Sequence, residues 1–140
     1  MKRLVPLILL LGDLLALIVF VYVGQRDHEL IDEATPILGV LWTAGEFALP
    51  WIAAGWLLGA FPRGETWTTR SLLARSLNAW LVAAPLGLLL RAYVLGRAIL
   101  PTVFVTATLV FGGLLMLGWR LAFALAWRVA GRARSSRPSG

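Results

Sequence analysis

Hydrophobic residues in this chain fall into four long blocks, with polar residues gathered between them. Residues 4–23 contain one charge, Asp13, and residues 37–61 contain one, Glu46. Residues 72–95 carry Arg75 and Arg91 near their two ends. Residues 99–119 carry none, and the apolar pattern continues past Arg120 to Trp127. Each block matches the roughly 20 apolar residues needed to cross a bilayer as a helix. The runs are continuous rather than alternating, which favours helices over barrel strands, and a helix satisfies its backbone within the segment. The pattern therefore predicts an all-α integral membrane protein, an antiparallel bundle of four transmembrane helices over about residues 4–23, 37–61, 72–95 and 99–127. Residues 1–130 form one four-span domain, and residues 131–140 read as a disordered basic cytoplasmic tail.

Punctuation supports those limits. Thr35-Pro36 fits an N-cap followed by proline at the first helical position. Thr68 or Thr69 can cap the third helix, and Pro62-Arg63-Gly64 interrupts the chain before it. Pro50 and Pro85 lie inside spans and are expected to kink them. Pro50 also has no N–H for the carbonyl of Glu46. Lys2 and Arg3 precede the first block as in a signal peptide, but the block is longer than the usual apolar region and ends without a small-x-small site. It reads as a retained signal anchor.

Composition sharpens the class. The chain has 140 residues, 59% hydrophobic and 14% charged, against about 25% charged in ordinary soluble domains. Its mean hydropathy is +0.81. Disordered and soluble globular classes are both disfavoured. There is no cysteine, so disulfides and thiol chemistry are excluded. The net charge is +6, and its placement matters more than its size. With the N-terminus inside, Lys2, Arg3, Arg63, Arg70, Arg75, Arg120, Arg128, Arg132, Arg134 and Arg137 fall on the cytoplasmic side. Arg26, Arg91 and Arg97 fall outside. Basic residues favour the inside, so both termini are expected in the cytoplasm. Charge spread over loops and a tail is a topology signal, and no nucleic-acid partner is expected.

Candidate chemistry lies among the polar groups inside the spans. Asp13 and Glu46 each lie about 13–14 Å in from the starts of their helices at 1.5 Å per residue, and those starts are expected on opposite sides of the membrane. In a core of about 30 Å the two carboxylates then come to nearly the same level. Thr106 and Thr108 lie within about a turn of it, with Asn78 and Arg75 lower on the third helix, Arg120 near the inner end of the fourth and Arg91 near the outer end of the third. Intramembrane charges are costly, so each needs a partner or a purpose. One reading is a proton or cation site made by both carboxylates. The other is structural, with Asp13 neutral or paired with Arg120 or Arg75. Gly55 and Gly59 form a GxxxG unit, and Gly112 and Gly113 are further small positions for close helix packing, within a chain or between copies. Trp51 lies too deep for an interfacial belt, and Trp42 and Trp80 are candidates for the interior. His28, beside Asp27, Glu29 and Asp32, is the one metal candidate, but a single histidine among acids falls short of a zinc set. No nucleophile triad, phosphate loop or metalloprotease helix is present, so no cofactor is expected.

The chain also resembles a known family. Gly12-Asp13-Leu14-Leu15-Ala16, Gly24-Gln25-Arg26-Asp27-His28 and Trp42-Thr43-Ala44 carry the likeness. Pro50-Trp51-Ile52-Ala53-Ala54-Gly55-Trp56, the run from Trp80 to Arg91 and Gly118-Trp119-Arg120 extend it across about residues 4–127. Their spacing is similar to that of domain-of-unknown-function family 3054, small prokaryotic membrane proteins. The resemblance implies a four-helix protein of a prokaryotic cytoplasmic membrane and no assigned activity. It also sets Glu46-Phe47 where a Pro-Phe pair often stands, which implies that Glu46 is particular to this chain. The expected role is that of a non-enzymatic membrane protein, an accessory or assembly subunit. Its partners would be the lipid bilayer and a further copy or another membrane protein. The alternative is a proton- or cation-coupled carrier working as an oligomer through Asp13 and Glu46. A lipid-modifying enzyme is a third reading.

Overall fold

A computed structural model describes residues 4–27, 35–63 and 67–135. Helix α1 spans Val5–Asp27, α2 Pro36–Leu57 and α3 Thr69–Val94. The fourth span begins as α4, Thr102–Ala107, widens into a π-helical turn over Thr108–Gly112, and continues as α5, Gly113–Ser135. No strand occurs among the described residues. Among the described residues, four segments are long and apolar enough to cross a membrane: Val5–Arg26, Pro36–Leu57, Thr69–Val94 and Thr102–Gly131. Their outward faces are rich in apolar side chains such as Leu49, Leu57, Leu89, Val103 and Leu114. A soluble monomer rarely exposes so continuous an apolar surface. The protein is therefore a membrane protein built as an all-α four-helix bundle.

Side-chain pairings set the register. Gln25 meets Thr43 while Asp13 meets Trp51, so α1 and α2 run antiparallel. Thr43 meets Arg91 while Trp51 meets Trp80, which reverses α3 against α2. Trp80 reaches Leu109 while Ser76 reaches Arg120, which reverses the fourth span against α3. Asp13 meets Arg120, closing the ring between the first and last spans.

Local chemistry fixes the helix ends. Thr68 caps α3 with a reciprocal box: its hydroxyl accepts from the Ser71 amide at 3.1 Å, and the Ser71 hydroxyl accepts from the Thr68 amide at 3.1 Å. Helix α2 stops at Leu57, earlier than the sequence pattern predicts. Gly59 follows with φ +70, and the Ala60 amide donates to the Gly55 carbonyl at 2.8 Å. This is a left-handed glycine cap, a conformation that side chains disfavour. Gly59 is thus a turn residue, not part of a helix-packing GxxxG face. Gly96, φ +61, ends α3 in the same way. Pro50 and Pro85 both lie within helices that continue past them. Helix α5 runs to Ser135, beyond position 131 where the sequence pattern begins a tail. His28, the weak metal candidate, lies outside the described residues, as do residues 136–140.

Aromatic rings sit against glycines in the interior. A Cβ on Gly112 would lie 2.7 Å from the Trp80 ring, and one on Gly113 2.9 Å from its Nε1. Gly55 faces Phe61 at 2.7 Å. Gly87 faces Phe47 and Gly12 faces Trp119, both too close for any side chain. Three of the four small residues named from sequence, Gly55, Gly112 and Gly113, thus serve contacts inside this chain. Trp51 and Trp80 are buried, whereas Trp42 faces outward, against the expectation for it.

Candidate functional site

Arg120 is the charged centre of the larger polar cluster in the bundle. It projects from α5 and is completely buried, as is Asp13 on α1. Its Nε donates to Asp13 Oδ1 at 3.0 Å and its Nη2 donates to Asp13 Oδ2 at 2.5 Å. This is the two-pronged pairing that guanidinium and carboxylate geometry favours. Nη1 donates to the Ala60 carbonyl at 2.5 Å and to Ser76 Oγ at 2.8 Å. The Ser76 hydroxyl in turn donates a hydrogen bond to the Leu72 carbonyl at 2.6 Å. The Trp51 indole donates to Asp13 Oδ2 at 3.1 Å. The guanidinium carbon also lies 5.1 Å from the Trp51 ring and 5.0 Å from the Phe61 ring, within cation–π range.

This cluster draws on every span. The Gly59 cap has a direct role in it, because reversing the chain after α2 delivers the Ala60 carbonyl to Arg120. Asp13 and Arg120 cancel each other's charge, and polar neighbours occupy most of their remaining hydrogen-bonding positions. A buried pair is tolerable on those terms.

A second cluster lies nearer the other end of the bundle. Arg91 Nη1 on α3 donates to Glu46 Oε2 at 3.0 Å and to Thr43 Oγ1 at 2.9 Å, both on α2. Gln25 Nε2 on α1 donates to the same Thr43 hydroxyl at 3.0 Å. Glu46 is nearly buried at 5% side-chain exposure, while Arg91 retains 17%. Arg91 borders three cavities, of about 80, 270 and 370 Å³. The smallest runs inward to Phe47 and Thr108. Thr108 is fully buried, and its hydroxyl has no hydrogen-bond partner among the described residues; Glu46 Oε1 has none there either. Thr108 opens the π-helical turn, a feature often found at functional sites.

The structure does not join Asp13 and Glu46 into one site. Trp51, five residues beyond Glu46, is the α2 residue that meets Asp13, and five residues of helix rise about 7–8 Å. Each carboxylate has its own arginine. Arg75 and Asn78 are exposed on α3 and belong to neither cluster, so Arg75 is not the partner of Asp13. Arg75 lies beside Gly59 instead. Thr106 is exposed, unlike Thr108. Gln25, Thr43, Ser76 and the Ala60 carbonyl were not among the sequence candidates. Thr43 was the most findable of these, since it precedes Glu46 by three residues and so shares its helix face. Among the described residues no three His, Cys, Asp or Glu side chains gather as a metal site.

The fold and its two charge clusters define a class: a compact four-span helical membrane protein with ion pairs inside its bundle. The chain belongs to a particular family, described as protein of unknown function (DUF3054), whose model matches residues 10–123. No curated protein and no solved structure matches the chain.

Proposed function

We propose that the chain is a non-enzymatic multi-pass protein of a prokaryotic cytoplasmic membrane, with both termini cytoplasmic, acting as an accessory or assembly subunit. The observation that carries this reading is the closed Asp13–Arg120 pair. A working proton or cation site needs a carboxylate that can exchange its partner. Asp13 instead holds three donors from two neighbouring helices and is fully buried. Its chemistry is that of a clamp. The basic residues gathered at the terminal end of the bundle support the orientation.

Asp13→Asn separates a clamp from a conduit. The clamp reading expects the variant to lose thermal stability in detergent and to insert poorly. An Asp13→Asn protein as stable as its parent, but deficient in proton or sodium flux in proteoliposomes, would overturn it.

A second reading has one observation in its favour: Arg91, the ion-pair partner of Glu46, lines the cavity that reaches Thr108. On that reading the chain is a small-solute carrier acting through Glu46 and not Asp13. It expects Glu46→Gln to abolish flux while stability changes little. Equal flux in parent and variant, or none in the parent, contradicts it.

A further inference from the structure

Between α3 and α5, on the outside of the bundle, runs a groove of about 820 Å³. Leu73 and Leu77 form one wall, and Leu114, Leu117 and Leu121 form the other. Gly118 lies on the α5 side, where a Cβ would meet nothing within 4 Å. At one end stand Arg70 and Arg128, both exposed. Neither makes a hydrogen bond or ion pair among the described residues. Thr69 also lines that end, and its hydroxyl is buried without a partner among the described residues. The first turn of α3 brings the positive end of a helix dipole to the same place.

The groove is thus apolar along its length and cationic at one end. From Leu114 to Arg128 it follows α5 for about 21 Å of helix rise, against roughly 15 Å for half of a bilayer core. Those are the proportions of one phospholipid, with an acyl chain against the leucines and a phosphate at the guanidinium groups. Basic pockets between transmembrane helices on the cytoplasmic side hold anionic headgroups in this manner. We infer that this groove is a binding site for an anionic phospholipid of the surrounding leaflet. Arg70 and Arg128 hold the headgroup phosphate, and the glycine at position 118 leaves room for the chain.

The test is native mass spectrometry of the purified full-length protein in detergent, titrated with phosphatidylglycerol and, separately, phosphatidylcholine. Phosphatidylglycerol is expected to be retained more strongly. An Arg70→Gln, Arg128→Gln double variant should weaken its retention by about thirty-fold, taking each basic group at the strength usual near a membrane surface. Arg70→Lys, Arg128→Lys should keep most of the preference. Gly118→Leu should lower retention of both lipids, because it fills the groove and leaves the charge alone. Unfolding temperatures of all variants, matched to the parent, ensure that binding and not folding is read. Equal retention of the two lipids, or a preference that survives both glutamines, overturns the inference. So does displacement by glycerol 3-phosphate at equal concentration, which would reveal a phosphate site with no use for the chain.

Discussion

Arg120 cannot shed its charge to suit an apolar interior, because a guanidinium stays protonated. Its burial is offset by the Asp13 carboxylate, two oxygen acceptors and two aromatic faces. Trp51 tightens the arrangement by donating to the same carboxylate that Arg120 holds. Trp51→Phe keeps the ring and removes only that donor. Its expected cost is about 1.5–3 kcal/mol, the usual size of a hydrogen bond to a charged group, measured by equilibrium unfolding in mixed micelles. No loss in this variant would mean that the indole N–H is idle. Glu46 presents the contrast. Its partner Arg91 is partly exposed, and exposure screens an ion pair. Glu46→Gln should therefore cost less than Asp13→Asn in the same assay, and the reverse order would contradict the ranking of the two clusters.

At the scale of elements, the spans are fitted to one another by rings seated on glycines. The π-helical turn and Gly112-Gly113 together make the seat for Trp80, whose indole donates to the Leu109 carbonyl at 3.1 Å. Gly112→Leu is expected to destabilise the bundle by at least about 1–3 kcal/mol through overpacking. Gly118→Leu, six residues on, should be tolerated, because its Cβ meets nothing. Equal losses at the two positions would count against the assigned rotation of the fourth span. Gly59→Ala tests the α2 cap. A left-handed alanine costs about 1–2 kcal/mol, and here the strain also disturbs the carbonyl that Arg120 uses. A melting temperature unchanged from the parent would show that the cap has no bearing on the cluster.

For the whole molecule, four blocks of apolar residues were enough to read four spans, because length and continuity decide which segments are long enough to cross a membrane. The rotation and register of those spans were less legible. In lipid the outward face is as apolar as the inward one, so amphipathic patterning does not say which side of a helix is buried. Trp42 and Trp80 look alike in sequence, yet one faces out and the other in. Arg75 and Arg120 likewise both looked able to reach Asp13, yet the first lies exposed and the second fully buried. The level of Asp13 relative to Glu46 depended on a register set by Trp51 and the glycine seats, which no local pattern reveals. Orientation in the membrane is a separate question, and the absence of native cysteine makes it easy to address. Single cysteines in place of Arg63 and Arg97 should label from opposite sides, Arg97→Cys from outside whole cells and Arg63→Cys only after permeabilisation. The opposite pattern would invert the topology.

The fixed charge pair at the centre of the bundle is tested most directly by a double-mutant cycle of unfolding free energies for Asp13→Leu, Arg120→Met and the two combined. Each single variant leaves one buried charge without its partner and should lose about 3–5 kcal/mol, while the combined apolar variant should recover most of that loss. Single variants as stable as the parent, or a double variant that loses the sum of both, would contradict a clamp made by Asp13 and Arg120.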